Sequence, residues 1–244
     1  MKVLIFAAGL GTRLYPLTKD KPKALVEING IPLLEIAINR LVDAGIVDIV
    51  INVHHFADQI IHFLDKKFPH LSIQISDERD FLLETGGGLR KAAPLLGTND
   101  FLVMNADIIS NLNIPAFIDF HQKQGGLATL AVRNRPSSRN LLFDESMTLC
   151  GWQNNKTKEQ KMSRNCTKTT PLSFSGMHII SPQIFNFMPQ TKKFSIIDVY
   201  LAAAQTEKIV AFQHDGDIWL DVGKLTAIAE AERIVKKLNN YGIK

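Results

Sequence analysis

The chain has 244 residues, 45% of them apolar, which is enough for one large α/β domain or two small ones. Its 28 basic and 24 acidic side chains leave a formal charge of +4, too mild for a nucleic-acid partner but suited to a site for polyanionic small molecules. No signal segment or apolar run long enough for a bilayer is visible, and Cys150 and Cys166 lack metal-ligand spacing, so the expectation is a cytoplasmic protein with no membrane partner, no disulfide framework and no zinc.

The apolar run Val3-Leu4-Ile5-Phe6 reads as a short buried strand, and it delivers the turn Ala7-Ala8-Gly9-Leu10-Gly11-Thr12-Arg13. Backbone N–H groups of such small residues can face a phosphate, with Arg13 and Lys23 as cations around the loop. The string is no P-loop, which needs G-x-x-x-x-G-K-[ST], and no dinucleotide fingerprint, because Leu14 stands where the third glycine belongs. Pro16 and Pro22 break any helix, so the loop is expected to stay extended over roughly fifteen residues.

Residues 33–44 place Leu34, Ile38, Leu41 and Val42 on one helical face before Gly45. Residues 48–53 then read as a buried strand, 58–68 as an amphipathic helix and 71–76 as a strand. This βαβαβ order predicts a parallel sheet with helices on both faces, whose ligand lies beyond the carboxyl ends of the strands. Next, Glu84-Thr85-Gly86-Gly87-Gly88 reads as a loop that can approach a planar ligand, followed by a helix over about 89–96. The apolar strand 101–104 runs into Asn105-Ala106-Asp107, which makes Asp107 a metal-ligand candidate.

Between 133 and 170 the chain turns basic and polar, and it reads as an irregular hairpin or lid, with strands resuming at 141–143 and 172–180. Its cations either clamp an anionic substrate or are simply solvated. Ser173-Phe174-Ser175-Gly176 lies in the later strand, helices fall near 196–204 and 225–238, and Asp221 ends an apolar strand between them. No internal repeat appears, and residues 238–244 read as a frayed tail.

Together these parts are a phosphate cradle with Arg13, a second cation at Lys23, a glycine platform for a base, and Asp107 with Asp221 for Mg²⁺. That set suits phosphoryl or nucleotidyl transfer, where positioning and charge neutralisation supply most of the catalysis. A phosphate nucleophile is already largely dianionic at neutral pH, its second pKa lying near about 6, so no general base is needed. His54 and His55 are read as structural or solvent-facing.

The strings Ala8-Gly9-Leu10-Gly11-Thr12-Arg13-Leu14-x-Pro16-Leu17-Thr18 and Pro22-Lys23-Ala24-Leu25 resemble the signature of the sugar-1-phosphate nucleotidyltransferases. The likeness extends over Thr85-Gly86-Gly87, Asn105-Ala106-Asp107, Phe174-Ser175-Gly176 and Trp219-Leu220-Asp221-Val222-Gly223. It implies an α/β fold with a Rossmann-like, mixed and mostly parallel sheet, helices on both faces and no β-helix extension. A single domain, 1–244, would divide into a nucleotide-binding half (1–110), a sugar-phosphate-binding half (111–238) and a frayed tail (239–244). By the same resemblance, Ala8, Gly9, Gly11, Thr12 and Arg13 hold the phosphates, and Glu78, Thr85, Gly86 and Gly87 meet the base. Lys23 neutralises charge at the reacting phosphates, Ser175 and Gly176 line the sugar pocket, and Asp107 and Asp221 hold Mg²⁺. The implied partners are a nucleoside triphosphate and a sugar 1-phosphate, in a monomer or small homo-oligomer. Within the family the chain resembles the N-acetylmuramate-1-phosphate uridylyltransferases of cell-wall recycling. Mannose 1-phosphate or a heptose 1-phosphate with GTP, or a non-catalytic nucleotide-sugar-binding regulator, stand as alternatives. Two positions depart from the family pattern: Ala106 replaces a glycine, and residues 151–171 lack the Glu-Lys-Pro string used to grip the sugar.

Overall fold

A computed structural model describes residues 1–240. In chain order its elements are β1 (Val3–Phe6), β2 (Glu27–Ile28), β3 (Ile31–Pro32), α1 (Leu33–Asp43), β4 (Asp48–Val53), α2 (Ala57–Lys67), β5 (Ser72–Asp77) and α3 (Glu84–Leu96). There follow β6 (Phe101–Asn105), β7 (Ile108–Ser110), α4 (Ile114–Gln124), β8 (Ala128–Arg133), β9 (Arg139–Phe143), β10 (Leu149–Asn154), β11 (Gln160–Met162) and β12 (Thr170–Ile180). The chain closes with α5 (Ile196–Ala203), β13 (Ile209–Gln213), β14 (Trp219–Asp221) and α6 (Ile228–Asn240). No helix among the described residues is long and apolar enough to cross a membrane.

The run Val3–Phe6 is apolar throughout because β1 is flanked by parallel strands on both edges, β4 on one side and β6 on the other, and covered on both faces. Alternate side chains divide between two cores. Val3 and Ile5 pack with Leu34, Ile38, Leu41, Ile60 and Phe117 from α1, α2 and α4, while Leu4 packs with Leu89, Ala92, Val199 and Tyr200 from α3 and α5. The sheet is mixed: β6, β1, β4 and β5 run parallel, and β12 joins β6 antiparallel to begin the second half. The fold is thus a Rossmann-like α/β sheet with helices on both faces. At the end of α1, Gly45 takes φ 77° and lets Ile46 N donate back to Leu41 O at 2.9 Å, which stops the helix and turns the chain into β4.

A third core ties the two ends of the chain together. Ala231, Val235 and Leu238 of α6 pack on Leu14, Val26, Ile28, Leu33, Ile109 and Val222. Leu14 is fully buried there, a burial that stabilises by roughly 1.5–3 kcal/mol and anchors the loop after β1 from behind.

The structure corrects several sequence expectations. The loop after β1 is not extended, because 3₁₀ turns close at Thr12–Leu14 and Lys23–Leu25; prolines forbid the α-helix but not the single bonds Leu14 N to Gly11 O and Leu25 N to Pro22 O, each 2.9 Å. Cys150 and Cys166 are joined as a disulfide rather than free: Ser163 N and Arg164 N both donate to Cys150 O, folding the β10–β11 hairpin back on itself so that the next turn brings Cys166 to Cys150. In the basic segment, Arg133 and Arg164 are neither solvated nor free to clamp a substrate, since their guanidinium groups donate to backbone carbonyls. Of the expected frayed tail, residues 238–240 belong to α6, and 241–244 lie outside the described residues.

The glycine string is the largest correction. Residues 84–88 are the first turns of α3, not a loop, and all three glycines are buried. Their small size admits protein: Arg90 Nη1 and Nη2 donate to Pro189 O and Thr191 O at 2.6 Å each, pulling the following segment onto the helix. Gly86 N and Gly87 N donate to Phe194 O, so this segment caps the helix. A Cβ would stand 2.4 Å from Phe194 Cδ2 at Gly86, 2.4 Å from Lys192 O at Gly87 and 2.6 Å from Glu78 Oε1 at Gly88. Helix propensity alone would have Gly86→Ala stabilise by about 1 kcal/mol. The collision with Phe194 reverses the sign, and chemical denaturation should show a loss of about 1–3 kcal/mol; unchanged or higher stability would contradict this packing.

Candidate active site

A cleft of about 300 Å³ opens at the carboxyl ends of β1, β4, β5 and β6, with Ala8, Gly9, Lys23, Glu78, Thr85 and Asp107 among its walls. Its floor is held by a buried network. Asn52 on β4 accepts from Ala7 N (2.7 Å) and Ala8 N (3.3 Å) through Oδ1, and donates from Nδ2 to Glu78 Oε1 at 2.7 Å. Leu83 N reaches Glu78 Oε2 at 3.3 Å. Burial pushes the Glu78 carboxyl up from its ordinary value, against the hydrogen bonds from Asn52 and Leu83. Asn52 had no place among the sequence candidates; its only signal is a polar residue within the apolar run 49–53.

Beyond this brace the loop after β1 leaves donors free. Among the described residues, no acceptor faces the N–H groups of Gly9, Leu10 and Gly11. Gly11 has φ 67°, and a Cβ there would stand 2.8 Å from Thr18 Cγ2 and 2.9 Å from Lys23 Cβ, so only glycine fits the turn. Thr18 Oγ1 closes it by donating to Gly11 O at 2.9 Å. Ala8 lies in the same wall, but its N–H is held by Asn52, whereas Thr12 and Arg13 stand exposed on the first 3₁₀ turn.

The charged groups converge from four parts of the chain. Asp107 follows β6 in a turn held by Ala106 N to Phe6 O at 3.1 Å, and Lys23 Nζ donates to Asp107 Oδ2. β14 pairs with β7 so that Asp221 lies opposite Ile108, and Val222 N donates to Asp107 O at 2.9 Å. Desolvation and then the Asp107 charge raise the Asp221 carboxyl above its ordinary value, while Lys23, Arg13 and Arg135 pull the other way. Two neighbouring carboxylates beside a loop with free backbone N–H groups are an oxygen donor set of the kind Mg²⁺ takes, one or two protein carboxylates with phosphate oxygens completing the shell. The pairing was foreseeable as two strand-end aspartates; that β7 and β14 bring them together was not.

Other candidates sit elsewhere. Thr85 lines the cleft but its Oγ1 accepts from Ile196 N at 3.0 Å, and Gly86 and Gly87 turn toward Phe194 and Lys192, away from it. Ser175 is buried with its hydroxyl 2.8 Å from His214 Nε2. Gly176, at φ 77°, bulges β12 so tightly that a Cβ would stand 2.8 Å from Asn105 Nδ2. His54 is structural, its Nδ1 2.8 Å from Glu78 O.

Residues 2–141 match the nucleotidyl transferase family. The N-acetylmuramate alpha-1-phosphate uridylyltransferase of Caulobacter vibrioides is 32% identical over 239 residues, 94% of each chain. The mannose-1-phosphate guanyltransferase of Aspergillus oryzae is 29% identical over 92% of this chain, which spans 61% of that longer protein. Among solved structures, HddC from Yersinia pseudotuberculosis complexed with GMP-PN superposes with a TM-score of 0.76 at 25% identity, over 95% of this chain and 98% of that one. The chain belongs to the nucleotidyl transferase family, among its sugar-1-phosphate nucleotidyltransferases.

The partial desolvation of Asp221, whose side chain is still solvent-exposed, and the Asp107 charge acting on it set the sign of a small pH dependence. A carboxyl with a raised pKa binds its proton more tightly folded than unfolded, so stability is lost as pH rises through that pKa. Asp221→Asn should therefore melt at a higher temperature than the parent at pH 7 without divalent cations, and the gap should close as pH falls toward the ordinary aspartate range. Calorimetry at several pH values checks this; a lower melting temperature at pH 7 would contradict it.

Proposed function

We propose that this enzyme transfers the uridylyl group of UTP to N-acetylmuramate 1-phosphate with Mg²⁺, releasing pyrophosphate and leaving a UDP-sugar. The observation that carries the reading is the meeting of Arg13, Lys23, Asp107 and Asp221 around one cleft mouth at the strand ends. In this reading residues 1–110 take the nucleotide and 111–238 the sugar phosphate. The free N–H groups of the Gly9 to Thr12 turn bind the phosphates, and exposed Arg13 holds the outer two. Lys23, aligned by its pair with Asp107, keeps positive charge between the α-phosphate and the attacking sugar phosphate. Asp107 and Asp221 would hold Mg²⁺, which when bound neutralises charge on the triphosphate oxygens. The dianionic sugar phosphate attacks in line, the bond from the α-phosphorus to the bridging oxygen breaks, and pyrophosphate carries the charge away. Glu78, fully buried with its carboxyl oxygens taken by Asn52 Nδ2 and Leu83 N, shapes the wall that the base would meet, for uracil and guanine alike.

Support for the uridylyl reading comes from the 32% identity, over nearly the whole of both chains, to a protein of that name. The guanyltransferase relatives and the GMP-PN complex of HddC make GTP with mannose 1-phosphate the competing pair. Pyrophosphate release measured for UTP, GTP, CTP, dTTP and ATP against N-acetylmuramate, mannose and N-acetylglucosamine 1-phosphates should be highest for UTP with N-acetylmuramate 1-phosphate. A maximum at GTP with mannose 1-phosphate would overturn the substrate assignment. Lys23→Ala should lower kcat by at least about a hundredfold with the circular dichroism spectrum unchanged; a loss below about threefold would remove Lys23 from the reacting centre.

A further inference from the structure

The basic segment holds three partly enclosed arginines, and two of them are already occupied. Arg133 donates to His214 O, Asp217 O and Asp215 O at 2.9, 2.7 and 3.0 Å. Arg164 donates to Ala204 O and Glu207 O, its three bonds measuring 2.6–2.9 Å. Arg135 differs. Its five N–H donors meet Phe174 O at 3.2 Å and the adjacent Pro136 O at a marginal 3.5 Å, and its Nε finds no acceptor among the described residues. The guanidinium lies over Trp219, its carbon 4.2 Å from the ring centroid.

That platform is held in place on the strand that ends in Asp221. Trp219 Nε1 donates to Ser175 O at 2.9 Å, and Trp219 pairs with Ser110 across β7 and β14. Two residues on, Asp221 projects from the same face of β14 as Trp219. Gly176, next to Ser175, lies so close to Asn105 of the cleft that a Cβ there would stand 2.8 Å from its Nδ2. The Arg135 charge is felt at Asp221. Arg135 therefore stands on the Asp221 side of the site, outside the cleft that Glu78 and Thr85 line, where the proposed reading leaves room for the sugar.

We propose that Arg135, presented on Trp219, binds a second anionic group of the sugar 1-phosphate, a carboxylate set away from the reacting phosphate, and so makes the site selective for carboxylated sugars. The inference rests on the proposed sugar-1-phosphate reaction and deepens it. A planar guanidinium with unused donors matches a carboxylate in two parallel hydrogen bonds, which an uncharged hydroxyl cannot return.

The test compares N-acetylmuramate 1-phosphate with N-acetylglucosamine 1-phosphate, which lacks the 3-O-lactyl ether that carries the carboxylate, at saturating UTP and Mg²⁺. Arg135→Gln should raise KM for the carboxylated sugar roughly 30-fold with kcat within about twofold, and leave kcat/KM for the other within about threefold. Arg135→Lys, which keeps the charge but not the fork, should fall between. Equal losses on both sugars, or no loss on either, would overturn the role of Arg135 while leaving the reaction intact. A parent enzyme that turns over other sugar 1-phosphates but not the carboxylated one would overturn both this inference and the substrate assignment.

Discussion

A two-stranded pairing brings Asp107 and Asp221 into the same corner of the site. β7 and β14 are only three residues each, yet their register sets Asp221 beside the turn that carries Asp107, and Val222 N seals the junction on Asp107 O. Like charges brought together in a partly desolvated place are unfavourable, which the raised Asp221 carboxyl records. Lys23 and Arg13 relieve this only in part. Such a cluster persists because packing elsewhere holds it, chiefly the α6 core that buries Leu14 on one side and Val222 on the other. Residues from both ends of the chain thus enter one apolar cluster directly behind the charged site.

On the other side of the cleft the same logic is carried by hydrogen bonds. A buried amide and a buried carboxyl, Asn52 and Glu78, take the N–H groups of Ala7, Ala8 and Leu83 and join β1, β4 and the chain after β5 into one unit. Networks of this kind rigidify when every member is satisfied, and removing one member strands the rest. The phosphate loop can then leave Gly9, Leu10 and Gly11 unpaired, because its root is fixed two residues earlier. Free donors on a fixed root are what a preorganised anion site requires.

Much of this was readable from the chain. The run Val3–Phe6 and the period of residues 33–44 point to a central strand and its covering helix, because burial on both faces or on one stripe leaves a direct mark on residue type. Asp107 and Asp221 were visible for the same reason, as carboxylates at the ends of apolar runs. What stayed hidden depends on distant neighbours. Three glycines announce a close approach but not its partner, and here the missing side chains leave room for Phe194, Lys192 and Glu78 in turn. The disulfide depends on a hairpin folding back, and the bound states of Arg133 and Arg164 depend on carbonyls some 40 to 80 residues away. Asn52 left one mark, polarity in an apolar strand, and its meaning appears only once β1 is laid beside β4.

The proposal that the two carboxylates share one cation is best tested by locating the cation. Anomalous diffraction from crystals grown with Mn²⁺ and a non-hydrolysable UTP analogue should place a peak between the carboxylates of Asp107 and Asp221, with the analogue's phosphates completing its shell. A peak that touches neither carboxylate, or an ordered triphosphate with no metal beside these residues, would contradict the site as assembled here.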